Sequence, residues 1–293
     1  MAKSTLYSQI RASVFLLLLA SCIGTAAFAA IPPSEFVVKS MVAKRLGPKG
    51  LKIRSVIKDP ASAKSVLVIT VLSFSSGVVR TRFHAQSGTQ EPAPKEAWIA
   101  HKASMSESNN LPTAFLPTIL YSPEFVKVEN NLILAGVPIR TEDYLLSLED
   151  ELARQQAEIS SMKRIQGRPQ WVFGVVQPPK DQKALKTPAE LWVEKDRFIP
   201  TQLVSPQQNL NFDFRFESYS YAKDFPYPRR LQVWDREKEQ LLLTEEVIEF
   251  TPLAQEPQEL NLSAVSQVGE QELTTIEDEG ARALIREYVL KMR

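Results

Sequence analysis

Two histidines, His84 and His101, and one cysteine, Cys22, are the only imidazole and thiol side chains in this chain. The histidines stand too far apart for the i, i+4 spacing by which a helix offers two imidazoles to one zinc ion, and no His-Glu-x-x-His occurs. Cys22 lies in an apolar leader, which leaves the folded part without a disulfide, a thiolate metal site or a cysteine nucleophile. The sequence holds no Gly-x-Ser-x-Gly elbow, no P-loop and no Gly-x-Gly-x-x-Gly. The adjacent carboxylates Glu245/Glu246 and Asp278/Glu279 diverge from a strand or helix and read as solvated charge. These residues predict no catalysis, no metal and no cofactor. The chemistry left is non-covalent binding.

The leader has a signal-peptide layout. Lys3 and Arg11 precede the apolar run Val14 to Ala20, and Ala27-Phe28-Ala29 is a small-x-small site, which predicts residues 1–29 as a signal peptide cleaved after Ala29. No later stretch approaches the about 20 apolar residues that a spanning helix needs. The expected location is the periplasm. Leu19-Ala20-Ser21-Cys22 also resembles a bacterial lipobox, and in that alternative Cys22 is lipidated and anchors the chain to the outer membrane.

Removing Lys3 and Arg11 from 35 basic residues leaves near-equality with 34 acidic ones, so nucleic acid is not an expected partner. Twenty prolines against ten glycines suit many turn-punctuated strands. Residues 30–293 read as a single domain. Ser34 caps a first helix through Val38, Met41, Val42 and Leu46, ended by Gly47-Pro48. Strands come next at Leu51 to Ile57, Ser65 to Phe74, Val78 to Ala85 and Glu96 to Lys102. Leu111 to Tyr121 reads as a short apolar helix interrupted by Pro117. Residues 141–165 carry the strongest helix pattern, through Tyr144, Leu145, Leu148, Leu152, Ile159 and Met162, and are expected to form a helical insertion at about 141–166. Strands at Trp171 to Val176 and Gln240 to Phe250, and a C-terminal helix from Ile276 to Met292, complete the set of elements.

Between them lies the most informative stretch. Leu191-Trp192-Val193-Glu194 is stopped by the charged turn Lys195-Asp196-Arg197 and resumes at Phe198. Asn211 to Tyr221 alternates strictly, with Phe212, Phe214, Phe216 and Ser218 on one side and Asn211, Asp213, Arg215 and Glu217 on the other. Arg230 to Asp235 comes after a proline-rich bend, Phe225-Pro226-Tyr227-Pro228. This predicts an antiparallel sheet with one aromatic and one wet face, in an α+β fold whose curved sheet wraps around helices.

Three motifs here resemble the LolA/LolB-like periplasmic lipoprotein carriers, the outer-membrane lipoprotein-sorting proteins. They are Gly167-Arg168-Pro169-Gln170-Trp171-Val172-Phe173-Gly174, then Leu191-Trp192-Val193-Glu194-Lys195-Asp196-Arg197-Phe198-Ile199-Pro200, and Phe216-Glu217-Ser218-Tyr219 ahead of Phe225-Pro226-Tyr227-Pro228-Arg229. Leu111 to Gly136 is similar to that family's lid-helix region. The resemblance implies an incomplete, open antiparallel β-barrel whose helices cover an apolar cavity for acyl chains. The implied partner is a lipid or an acylated lipoprotein, together with the lipoprotein machinery of the inner or outer membrane. The insertion at 141–166 departs from the compact carriers, and the arginine with which they latch the lid has no assignable counterpart.

On this resemblance Trp192, Phe212, Phe214, Phe216 and Trp234 are candidates for the cavity wall, and plain core is the competing reading of the same residues. Leu116, Ile119, Leu120 and Tyr121 are candidates for a movable lid, because an interior Pro117 weakens a helix by roughly 3 kcal/mol; a fixed core helix is the alternative. Arg229 and Arg230, beside Tyr227, are candidates for a lipid headgroup or a solvated turn. An envelope sensor or scaffold that binds a protein partner is the alternative function for the same fold.

Overall fold

The structure is a computed structural model that describes residues 32–45, 47–62, 64–75, 78–85, 96–102, 117–137, 139, 160–174, 189–207, 210–257 and 276–292. The chain divides into two compact units, Met1–Pro32 and Pro33–Arg293. The leader and Cys22 fall in the first and outside the described residues. Every described strand and helix belongs to the second.

Eleven strands build one sheet: β1 (Gly50–Lys58), β2 (Ser65–Ser73), β3 (Val78–Ala85), β4 (Glu96–Lys102), β5 (Ser160–Ile165), β6 (Arg168–Gly174), β7 (Glu190–Glu194), β8 (Ile199–Gln207), β9 (Leu210–Ala222), β10 (Phe225–Asp235) and β11 (Gln240–Leu253). Their order is β4-β3-β2-β1-β11-β10-β9-β8-β7-β6-β5, and every ladder is antiparallel. The chain thus winds outward from β1 to β4, crosses to the far edge at β5, and winds back until β11 lies against β1. Among the described residues no ladder joins the edges β4 and β5, so the sheet is open. Register shifts at Arg54/Ser55, Val233/Trp234 and Trp192/Val193 are the irregularities that bend a sheet and increase its twist.

One face of the sheet is apolar and covered. Leu51, Ile53 and Ile57 of β1, Leu243 and Val247 of β11, Leu231 and Val233 of β10, and Phe212, Phe214 and Phe216 of β9 belong to one core. Helices α1 (Ser34–Ala43), α2 (Phe125–Leu134) and α3 (Glu279–Met292), with a 3-10 turn at Pro117–Tyr121, contribute to the same core. Val37, Val38, Met41 and Val42 give α1 its buried stripe at helical spacing. In α3 Leu284, Ile285 and Tyr288 point inward, with the Tyr288 ring edge-on to Phe83 of β3 at 6.0 Å.

Several sequence expectations need correction. The helix expected over 141–166 does not extend to its end, because Ser160–Ile165 is strand β5, paired with β6 through the turn at Gln166 and Gly167. Its stripe is read there with period two: Met162 and Arg164 face solvent while Lys163 and Ile165 are half-buried. Residues 140–159 lie outside the described residues. Ser34 does not cap α1; it is the first helical residue, and its Oγ donates to the carbonyl of Ile139 at 2.5 Å. Pro117 is the first residue of the 3-10 turn, in keeping with a ring that forgoes an N–H no first-turn residue needs; residues 111–116 of the expected helix lie outside the described residues.

The proline-rich bend is also strand. The turn lies two residues earlier, at Lys223 and Asp224, both with positive φ, the backbone form that matches a tight hairpin to strand twist. Pro226 and Pro228 are tolerated in β10 because there it pairs with β9 alone; its ladder with β11 begins only at Arg230. Helix α2 falls inside the Leu111 to Gly136 stretch that resembles a lid-helix region, but its own residues give no clear helical stripe. Val128 and Leu132 are its buried apolar positions, with buried Glu129 and Asn131 masking the stripe.

Candidate functional site

The residues that organise the covered face meet at the end of α1. Continuing the buried stripe of α1 past Met41 and Val42 leads to Arg45, whose guanidinium is 1% exposed. It donates from Nη1 to the carbonyl of Leu120 in the 3-10 turn and lies over the ring of Tyr121 at 5.1 Å. Among the described residues no protein group accepts from its Nε or Nη2, and no carboxylate contributes to its charge environment. Burial lowers its pKa to about 10, against a smaller opposing influence from Tyr121 and Tyr219. It therefore remains a cation at neutral pH, buried without a counter-ion.

Tyr121 is the centre of an aromatic group. Its ring stands edge-on to Phe216 at 6.1 Å and lies 4.8 Å from Tyr227, which in turn lies 5.3 Å from Phe250. Its hydroxyl meets that of Tyr219 at 2.6 Å, and Tyr219 in turn donates to the carbonyl of Pro200 on β8. Leu120 is buried beside it. Leu116 lies outside the described residues, as does the side chain of Ile119. The 3-10 turn is thus held over the sheet by one arginine and one tyrosine pair.

The five aromatic wall candidates do not share a face. Phe212, Phe214 and Phe216 are inside, at 5%, 0% and 3% exposure. Trp192 and Trp234 lie on the outer face, half-buried, because Trp192 is opposite Gln202 and Trp234 opposite Asp213. There Lys163 sits 5.1 Å from the Trp192 ring and Arg215 4.5 Å from that of Trp234, while the indole N–H groups donate to Glu190 and Gln232. Inside, the three phenylalanines belong to the buried core, and the Tyr121 ring of the 3-10 turn packs against Phe216. Ser218 also leaves the alternation: its φ is 55° and its side chain is exposed.

Both headgroup candidates have protein partners. Arg229 Nη1 donates to the carbonyls of Val247 at 3.3 Å and Ile248 at 2.5 Å, and its guanidinium lies over Phe250. It bridges the place where β10 and β11 part, supplying donors that the neighbouring prolines lack. Arg230 is 3.8 Å from Glu217. Glu245, expected to be solvated, is buried on the inner face and accepts from Ser55 Oγ at 2.6 Å and from the Tyr288 hydroxyl at 3.4 Å. Asp278 caps α3 through the Ala281 N–H and pairs with Lys64 at 2.7 Å. Among the described residues no group of three His, Cys, Asp or Glu is disposed to hold a metal, and no helix is long and apolar enough to cross a membrane.

No family model and no curated protein matches the chain. Solved structures similar to it include three that it matches over nearly their whole length. One, described as an outer membrane lipoprotein-sorting protein domain from Vibrio parahaemolyticus, has 10% identity and a TM-score of 0.43, over 79% of this chain and 97% of that one. A LolA superfamily protein from Nitrosomonas europaea has 12% identity and a TM-score of 0.40, over 78% and 97%. A DUF1329 family protein from Desulfovibrio piger has 9% identity and a TM-score of 0.40, over 80% and 99%. Likeness this distant says nothing of what the chain binds; its own geometry must.

Arg45 is the residue that sequence reasoning missed. The signal was present: Val38, Met41 and Val42 set a stripe on which position 45 falls, and an arginine there breaks the apolar face. A basic residue on a buried helical stripe has to find an acceptor inside the fold, and here the acceptor is the backbone of the lid candidate.

Proposed function

We propose that this protein is a non-catalytic binder of acyl chains, from a lipid or an acylated lipoprotein, and that the described structure is its closed state. The observation that carries this reading is Arg45, buried with one carbonyl acceptor and no counter-ion among the described residues. Withdrawing an ion from water costs several kcal/mol after relaxation unless a partner compensates. A plain core gains nothing from such a group. A lid does, because its departure restores water to the guanidinium and offsets part of the apolar area uncovered. What it uncovers is an aromatic bed, Phe216, Tyr227 and Phe250, now covered by Tyr121. An acyl chain can cover that bed instead, at about 0.8 kcal/mol per buried methylene.

The reading includes export to the periplasm as a single domain after removal of residues 1–29, with acylation of Cys22 as the alternative. Titration of purified mature protein with a fluorescent polyene fatty acid tests it. Uptake is expected, with faster amide exchange over 117–121 in the bound protein, where the turn has been displaced, than in the free one. Arg45→Met removes the buried charge, favours the closed state and is expected to weaken uptake about tenfold. A wild-type protein that takes up no acyl probe, with equal exchange over 117–121 in both conditions, would make this turn plain core. The mass of the same mature protein separates a free Ala30 start from an acylated Cys22.

A further inference from the structure

The ladder between β8 and β9 runs from Gln207/Leu210 to Gln202/Arg215 and stops there. Both strands continue, β8 back to Ile199 against β7 alone and β9 on to Ala222 against β10 alone. The sheet therefore splits, and on its outer face the split opens into a cleft of about 640 Å³, within the roughly 300–1,000 Å³ typical of ligand sites. The Tyr219 hydroxyl, donating to Pro200 O, ties the two walls.

The floor of this cleft is polar and yet buried. Gln170, 2% exposed, accepts from Thr201 Oγ1 at 2.9 Å, and Glu194 is 6% exposed. Glu194 serves two guanidiniums, Arg197 (Nε at 2.6 Å) and Arg168 (3.5 Å), and is held ionised by them, its pKa drawn down chiefly by the Arg197 hydrogen bond. Arg215 lines the other wall, bonded to Asp213 at 2.9 Å. Arg168, Arg197 and Arg215 line the cleft with Glu194 and Glu217, and Arg230 stands 3.8 Å from Glu217. With Asp213 counted against Arg215 the balance stays positive, and Arg168, with one long contact and a side chain 63% exposed, carries it to the mouth. A wet sheet face does not require buried polar groups; a recognition site does.

We propose that this cleft docks an extended acidic segment of a partner protein. Among the described residues the edge of β9 beyond Arg215 has no ladder partner on this side, and such an edge pairs with extended chain by main-chain hydrogen bonds. The arginines select acidic side chains in that chain, as guanidiniums do in charge-assisted, forked contacts. Phe216 and Tyr219 line this cleft as well as the proposed acyl-binding interior. Arg168 and Arg197 lie outside the aromatic bed, so peptide binding and acyl uptake are read separately and either reading can fail without the other.

Fluorescence anisotropy with a labelled hexapeptide of alternating glutamate and valine tests this on the mature protein, with the lysine–valine peptide as the charge-reversed probe. The glutamate peptide is expected to bind and the lysine peptide not to. Arg168→Glu is expected to weaken binding about tenfold or more, and Arg168→Ala to weaken it in the same direction without adding a charge. Lys52→Glu, on an exposed position of β1, makes the same change in net charge and is expected to have no such effect. Equal weakening by Arg168→Glu and Lys52→Glu, equal binding of both peptides, or no binding of the glutamate peptide would overturn the proposal.

Discussion

Strands β7 to β11 present two kinds of electrostatics on their two faces. Over the inner face lie Arg45 and Glu245, each buried and each without a counter-ion among the described residues; neither is among the groups that shift the other. On the outer face Glu194 is paired with Arg197 and Arg168, Asp213 with Arg215, and Glu190 with Arg236. The consequence shows in two glutamates whose pKa values move in opposite directions. Burial pushes Glu245 up, while the Arg197 hydrogen bond pulls Glu194 down. Charges that meet at a surface are nearly neutral in their effect on stability, whereas a lone buried charge works against it. The outer face therefore carries its charges at little cost in stability, whereas the inner face holds groups whose burial is costly, and it is this cost that the proposed opening would relieve.

That contrast breaks first if the inner aromatics are not packed. Phe214 is fully buried between Leu203 and Val233 of the neighbouring strands. Phe214→Ala is expected to lower the free energy of unfolding by about 3–5 kcal/mol, the transfer term plus the cavity left behind. Urea denaturation of mature wild type and variant measures it. A loss below about 1 kcal/mol would mean that the site is already loosely filled in the closed state.

The strand content and the aromatic stripe of β9 were legible because period-two alternation over Phe212, Phe214 and Phe216 has one physical outcome. What was not legible is where that stripe meets its neighbours. Trp192 and Trp234 look like companions of the phenylalanines by type, but the ladder register puts them opposite Gln202 and Asp213 on the other face. Register is set by long-range pairing and is absent from any single strand. Residues 160–165 misled for the opposite reason: Ile159 and Met162 extend a helical stripe, but pairing with β6 overrides local periodicity. Glu245 likewise reads as solvated beside Glu246, until alternation puts only the second outside, paired with Lys58 at 2.6 Å.

Glu245 gives the next prediction. Ser55 of β1 and Tyr288 of α3 donate to it, Tyr227 of β10 faces it, and no cation does. Its carboxyl is raised above the ordinary value of 4.5 in the folded state. A group raised in this way stabilises the fold below its unfolded pKa, and that stability is lost as pH rises through the folded value. Glu245→Gln keeps an acceptor for Ser55 and Tyr288 but cannot ionise. The variant is expected to match wild type near pH 4 and to become the more stable of the two toward about pH 8. A difference that stays flat across that range would show that Glu245 does not stand as a lone buried acid.

The smallest effect is expected on the outer face, and its smallness is what sharpens the comparison. Lys163 on the edge strand β5 holds its ammonium 5.1 Å from the Trp192 ring, a contact open to water and worth about 0.5–1 kcal/mol at an exposed site. Lys163→Met keeps the aliphatic stem against the indole and removes only the charge. Unfolding should become easier by about 0.5 kcal/mol, several-fold less than for Phe214→Ala, with no change in acyl-probe uptake. Added salt should shrink even that difference, since screening reaches an exposed cation and not a buried ring. A loss as large as that of Phe214→Ala would mean that Trp192 belongs to the covered core after all, and the two faces would no longer differ in kind.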